Sequence, residues 1–343
     1  MIILACVPLF ILFIFWYLRG RDNRYRSDMI YYTPDDRSER RVSLFEKNFI
    51  PFVYHPIDGI TPSELGVIID ERVNMVDIYA EIFELARQGF VDVKKLSELG
   101  FEKLKDEYCF IKTTKTLDEV EIGKLKNHQR YLLRELFRFS NYLRSFQYLC
   151  KKYDIEESEI ESIGKKISQK KYVLYEGLRY HFHESLSGYT EKLYDNMVHD
   201  GFFYTKPNKV RKVWLMYYLI MNSVVFLIIY MNSFAINQDV VVFTCLLIPG
   251  FILSYLMPNK TSKGYSYYRQ ATGLKWYLNK SMWKSDTLNK RMFVDAIFPF
   301  AVALGVSRSL VNDIKKLAIS PPQYMGDENS FYKLIGSIFV ARL

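Results

Sequence analysis

Residues 213–233 read VWLMYYLIMNSVVFLIIYMNS, twenty-one positions without a single charge. That length matches the roughly 20 apolar residues a helix needs to cross the hydrocarbon core of a bilayer. Two more uncharged stretches accompany it, Ile2 to Leu18 and Val240 to Met257. Both are a little short, so local thinning or aromatic anchoring is expected. Trp16 and Tyr17 close the first stretch, and Trp214, Tyr217 and Tyr218 open the central one, where rings prefer the headgroup level. Pro8 and the Pro249-Gly250 pair are tolerable in lipid when neighbouring helices satisfy the freed carbonyls. Helices on the surface of a soluble core keep charges on one face; these keep none. No basic residue precedes the first stretch and Leu18-Arg19-Gly20 follows it, which favours an uncleaved anchor over a signal peptide.

The basic residues set an orientation. Arg19, Arg21, Arg24 and Arg26 follow the first stretch, Lys206, Lys209, Arg211 and Lys212 precede the second, and Lys260, Lys263 and Arg269 follow the third. The loop from Asn232 to Asp239 has neither Lys nor Arg. Basic flanks stay in the cytoplasm. The expectation is a multi-pass cell-membrane protein with its amino terminus and that loop outside, and residues 19–212 and 258–343 in the cytoplasm. The net charge of +9 over 343 residues is partly this topological signal and argues little for nucleic acid. Cys6 and Cys245 fall in the apolar stretches, Cys109 and Cys150 are far apart, and no C-x-x-C occurs; neither a disulfide framework nor a zinc site is indicated.

The expected organisation is a transmembrane helix at 1–18, a juxtamembrane linker at 19–45, a first winged-helix-like unit at 46–115, a helical segment with a second such unit at 116–212, a transmembrane hairpin at 213–257 and a helical tail at 258–343. Thr61-Pro62-Ser63-Glu64 has the residues of a capping box with proline at the first helical position. A helix is predicted from about Met75 to Gln88, with Ile78, Ile82 and Leu85 on its apolar face and Gly89 as its stop,. Phe90 to Lys94 alternates like a strand, and Tyr108 to Ile111 is its candidate hairpin partner,. Leu132, Leu136, Phe139, Leu143 and Phe146 mark a helix over Gln129 to Leu149, too few heptads to prefer a coiled coil,. Val198-His199-Asp200-Gly201-Phe202 then repeats the pattern of Ala86-Arg87-Gln88-Gly89-Phe90, which suggests tandem units. The fold class expected is therefore mainly α with small β ribbons, three transmembrane helices and cytoplasmic tandem winged-helix-like units.

These parts resemble the carboxy-terminal region of the predicted membrane proteins grouped as domain of unknown function 2207. The resemblance rests on Thr61-Pro62-Ser63-Glu64-Leu65-Gly66, Leu85-Ala86-Arg87-Gln88-Gly89-Phe90, Leu133-Arg134-Glu135-Leu136-Phe137, Gly273-Leu274-Lys275-Trp276-Tyr277-Leu278 and Pro299-Phe300-Ala301-Val302-Ala303-Leu304-Gly305-Val306, in that order around the apolar hairpin. It spans about residues 49–306. Typical members also carry a secreted β-rich domain before the first span, so the resemblance implies a truncated relative or a chain that starts at an internal methionine.

No phosphate-binding glycine loop, H-E-x-x-H, G-x-S-x-G or EF-hand loop occurs,. The best metal or catalytic candidate is His181-x-His183-Glu184, with His199, but its spacing matches no familiar zinc pattern and surface histidines are the plainer reading. Asp295 interrupts the apolar run Phe293 to Val306; the run is too short to span a bilayer, which favours a helix lying on a core or membrane surface over an intramembrane carboxylate. The two candidate recognition helices are net acidic: Glu71, Asp77, Glu81 and Glu84 in one, Glu184, Glu191, Asp195 and Asp200 in the other. Such faces would be repelled by phosphates. The expected function is a membrane-anchored interaction or scaffold protein, not an enzyme, with no catalytic, cofactor or metal residues and no cofactor. Its expected partners are the lipid bilayer and an unknown protein, with nucleic acid disfavoured. The alternative is a membrane-tethered winged-helix DNA-binding regulator.

Overall fold

A computed structural model of the chain describes residues 2–31, 33–34, 37–46, 49–99, 107–138, 151–155, 172–174, 183–232, 247–325 and 331–332. In chain order the principal elements are α1 (Ile2–Arg19), β1 (Asn23–Tyr25), β2 (Glu39–Arg41), α2 (Pro62–Asp70), α3 (Met75–Arg87), β3 (Val91–Lys95), β4 (Tyr108–Lys112), α4 (Glu119–Gly123), α5 (Asn127–Leu136), β5 (Tyr172–Leu174), α6 (His183–His199), α7 (Pro207–Asn232), α8 (247–255), α9 (Ser262–Asn279), α10 (Lys290–Ala303) and α11 (Ser307–Lys316). Among the described residues the chain is mainly helical with two small sheets. It forms two compact units, one from Met1–Phe49 with Met197–Tyr267 and the other from Ile50–Asn196 with Tyr268–Leu343. The segment from 258 onward, expected as one tail, is thus divided, and from Tyr268 on it belongs to the second unit.

The second unit is built around α3. Thr61 caps α2 and Pro62 opens it; Glu71, in the left-handed region at φ 60°, ends it. α3 follows after four residues and is buried at every position from Val76 to Ala86. α2 packs on one side of it and α10 on another. Phe83 of α3 meets Phe298 of α10 with ring centroids 5.7 Å apart. Pro299 lies within α10, so the apolar run around Asp295 is a core helix. β3 and β4 pair antiparallel, with Val93 opposite Phe110, as the alternation predicts. β5 adds to the free edge of β4, with Val173 opposite Phe110. The strand expected after Gly201 is an isolated bridge between Phe203 and Lys260. Helix α5 ends at Leu136; the rest of the helix expected to Leu149 lies mainly outside the described residues.

In the first unit α1 packs on α7. Leu12, Tyr218 and Met257 form its buried apolar centre, joined by Trp16, Trp214, Leu247 and Leu253. Phe15 and Trp214 lie 5.2 Å apart, and the Trp16 indole donates to the Leu256 carbonyl at 3.2 Å. The Tyr218 ring occupies the space where Gly250 would carry a Cβ, the close approach that small residues allow between membrane helices. Outward from this centre Phe10, Phe13, Met216, Ile220, Leu227, Ile248 and Ile252 are exposed. Among the described residues one helical stretch, Pro207–Ile228, is long and apolar enough to cross a membrane; Cys6–Arg19 is apolar but shorter. Of the third expected span, residues 240–246 lie outside the described residues and 247–255 are helical.

Both predicted glycine stops hold. Gly89 has φ +81° and donates to the Ala86 carbonyl at 2.9 Å while Phe90 donates to Leu85 at 2.9 Å. Gly201, at φ +76°, repeats the arrangement with Val198 and Met197. This double bond pattern satisfies carbonyls left open at a helix end. A Cβ at Gly89 would meet only Lys115, at 4.0 Å, so the restriction is one of backbone conformation rather than space. Gly89→Val should therefore lower stability by about 1–2 kcal/mol, the left-handed penalty for an L-residue. Denaturation of the purified full-length protein in detergent measures it, with Gly123→Ala as a control at an open position; equal midpoints for Gly89→Val and the control would contradict the assignment.

Candidate functional site

The residues that start α2 all engage partners inside the second unit. The Thr61 backbone N–H donates to the Glu64 carboxylate at 2.9 Å, and the Glu64 N–H donates back to the Thr61 hydroxyl at 3.4 Å. The remaining capacity of the Glu64 carboxylate is taken by Lys126, whose Nζ lies 2.8 and 2.9 Å from its two oxygens. Ser63 donates to Glu81 of α3 through both its N–H, at 3.1 Å, and its hydroxyl. Gln129 of α5 donates to the other Glu81 oxygen at 2.7 Å.

His128 sits between the two carboxylates. Its Nε2 lies 3.2 Å from the Thr61 hydroxyl and 3.8 Å from Glu81. Its Nδ1 lies 2.7 Å from the Asn196 amide nitrogen on α6 and 3.9 Å from Glu64. Thr61 and Asn196 thus hold the ring from its two nitrogens. Tyr189 of α6 packs edge-on against the ring at 6.1 Å. Burial pushes the Glu81 carboxyl up, but the His128 ring, the Ser63 hydroxyl and the Gln129 amide outweigh it and hold the carboxyl at about 2. A carboxylate that accepts several hydrogen bonds is stabilised in its charged form.

Glu64, Glu81 and His128 are all 0 % exposed. A general base must come within hydrogen-bond reach of a substrate proton, and these sealed groups reach none. Their work is to tie α2, α3, α5 and α6 together. Gly66 extends the same logic: a Cβ there would overlap the Asp77 carboxylate and touch Ala303 of α10. Asp77 itself caps α3, accepting from the Asn74 N–H at 2.7 Å. The T-P-S-E-L-G and P-F-A-V-A-L-G-V stretches, more than 230 residues apart in the chain, meet at this point. A cleft of about 410 Å³ opens there, lined by Asp70, Asp77, Lys275 and Ala303.

Three sequence expectations are corrected or bounded by this geometry. Asp77, Glu81 and Glu84 do not form an exposed acidic face: all three are buried, and Glu84 is held by Arg87 at 2.6 Å and Gln88 at 2.7 Å. Of the histidine candidate, His181 and the side chains of His183 and Glu184 lie outside the described residues, and His199 is exposed beside Asp200 at 3.2 Å. Among the described residues no three His, Cys, Asp or Glu side chains converge as metal ligands. Asp295 is half-buried; burial raises its carboxyl, opposed by the Gln323 N–H at 3.3 Å and by Arg291. Cys109 is buried on β4, its thiol pushed up to about 12 by burial, which leaves it an inert core residue.

One feature escaped the sequence reading altogether. Lys112, Arg130, Arg134 and Lys192 line a single cleft of about 590 Å³. Their positions share no local motif, so only the fold brings them together.

Residues 52–312 match the family model described as "Predicted membrane protein (DUF2207) C-terminal domain". No curated protein and no solved structure matches the chain.

The Glu81 environment fixes a pH dependence. Its carboxyl lies near 2 in the folded protein against an ordinary 4.5, so it contributes stability that is complete above about 4.5 and lost as pH falls towards 2. Glu81→Gln should be less stable than the wild type at neutral pH and should show a shallower decline on acidification. Denaturation midpoints of the detergent-purified full chain between neutral pH and about 3 test this; identical acid limbs would contradict it.

Proposed function

The chain belongs to the DUF2207 carboxy-terminal-domain family of predicted membrane proteins, and on that premise we propose that it is a membrane-anchored interaction protein whose cytoplasmic module binds protein partners. The observation that supports the anchoring and topology in this reading is the composition of the second unit. Ile50–Asn196 and Tyr268–Leu343 share one core, with α10 covering α2 and α3. Two segments of one core lie on the same side of a bilayer. The chain between them therefore crosses an even number of times. With α7 long and apolar enough for one crossing, the uncharged stretch from Val240 to Met257 supplies the return. The Lys and Arg flanks then favour the cytoplasm for the module, and α1 serves as a third span with its amino terminus outside.

The burial of α3 bears on the rival reading. In a helix-turn-helix DNA-binder the recognition helix enters the major groove, whereas α3 is covered from Val76 to Ala86. Of the two candidate recognition helices the first is thus a core helix, and the second, α6, carries Glu191 and Asp195 at exposed positions, a face that phosphates would repel.

Location reporters test the topology. Fusions at residues 45, 120 and 330 should report cytoplasm and a fusion at 236 the opposite side; residues 120 and 330 on opposite sides would sink the proposal. A second test is DNA binding. The full chain in detergent should show no sequence-dependent duplex binding tighter than about micromolar at about 0.15 M salt, where non-specific contacts are already weak. Tighter, sequence-dependent binding in an anisotropy titration would promote the tethered regulator instead.

A further inference from the structure

We infer that the basic cleft lined by Lys112, Arg130, Arg134 and Lys192 is a binding site for a small phosphorylated anion. The cleft is built from separate elements: Lys112 ends β4, Arg130 and Arg134 lie one turn apart on α5, and Lys192 projects from α6. At about 590 Å³ it falls within the range of small-molecule sites. Among the described residues no carboxylate lines it. An anion placed in this concavity would meet cationic side chains from three separate elements, the arrangement that favours charge-assisted hydrogen bonds to phosphate oxygens.

The arginines are positioned rather than loose. The Arg130 guanidinium donates to the Asn127 side-chain oxygen. Arg134 lies over the Tyr131 ring, 5.1 Å from its centroid, and its Nε is 3.3 Å from Glu135. Glu135 itself is buried and shared with Ser185 and Arg138, so it leaves Arg134 with donors to spare. The Tyr131 hydroxyl occupies the space above Gly188 of α6 where a Cβ would otherwise stand. Asn127, the first residue of α5, also lines the cleft, so the positive end of that helix adds to the field. Planar guanidinium groups held in place match the two-oxygen edge of a phosphate, and Ile122 and Leu133 offer an apolar wall. The concavity suits a phosphomonoester or pyrophosphate group, whether on a soluble nucleotide or on a lipid headgroup.

The test uses the full chain in two arms. In detergent, pyrophosphate and ADP are titrated calorimetrically. In nanodiscs of phosphatidylcholine with or without phosphatidic acid, protection of Lys192 from acetylation is read by mass spectrometry. Binding in the first arm identifies a soluble source and protection only in the second a headgroup; either supports the site. The double variant Arg130→Gln, Lys192→Gln should weaken binding at least about tenfold, or 1.4 kcal/mol, or abolish the protection measured at remaining cleft lysine Lys112. Lys316→Gln, on α11, should change nothing. Gly188→Ala, which keeps every charge but displaces Tyr131, should weaken binding as well, with unliganded melting compared to exclude unfolding. No binding in either arm, binding indifferent to the double variant, or duplex DNA binding through these residues more tightly than pyrophosphate would each overturn the inference.

Discussion

The second unit depends on the complete enclosure of α3. Its apolar side chains, Ile78, Ile82, Phe83 and Leu85, are each 0 % exposed, and full burial of such a side chain is worth about 1.5–3 kcal/mol. Enclosure also forces Asp77, Glu81 and Glu84 out of water, and a buried charge is tolerable only when paired and hydrogen-bonded. The pairs come from three directions: Thr61 to Glu64 before the helix, His128 and Gln129 from α5, and Arg87 with Gln88 at its own end. The fourth side is α10, supplied from beyond the two later apolar stretches. Each neighbour is selected by what α3 requires, apolar cover on one face and donors on the other.

The local features of this arrangement were legible in the sequence because they follow from local physics. The Thr61 cap, Pro62, the Gly89 and Gly201 stops and the β3–β4 hairpin each rest on residues within a few positions of one another. The polar stripe of α3 misled for an instructive reason. Asp77, Glu81 and Glu84 are spaced by four and three, the period of a solvent face. A polar stripe states that a helix face requires hydrogen-bonding partners, and it does not state whether water or protein supplies them. Here His128, Gln129 and Ser63 do so. The same limit applied to the basic cleft, whose four cations come from 112 to 192 and are unremarkable one at a time. The destination of α10 was equally hidden: an apolar run with one aspartate reads the same against a core as against a bilayer surface.

In the first unit the apolar helices use a different economy. Aromatic and aliphatic residues together form the contacts among α1, α7 and α8, and one glycine, Gly250, gives Tyr218 its seat. Polar groups are satisfied where these helices end: Lys260 takes the Asp22 carboxylate through its N–H at 2.6 Å, and Arg211 donates to the Tyr255 carbonyl at 3.1 Å. Arg24 is buried between Asp28 and Glu46. Burial raises the Glu46 carboxyl, but Arg40, the Ser43 N–H and Arg24 bring it below its usual value. Among the described residues the apolar helices thus carry the packing and the polar groups at their margin carry the hydrogen bonds.

The placement of α10 has a consequence for how the protein comes into being on the ribosome. Helix α3 is complete once Arg87 has been made, yet its cover begins at Lys290. At about 5–20 residues per second the interval is roughly 10–40 s. For that time Phe83 and its neighbours have no Phe298 to meet, while the intervening chain is being handed to the membrane. The nascent first half is thus a half-built interior that must be kept from other chains until its far segment arrives, and synthesis that stalls between the two would strand it in that state.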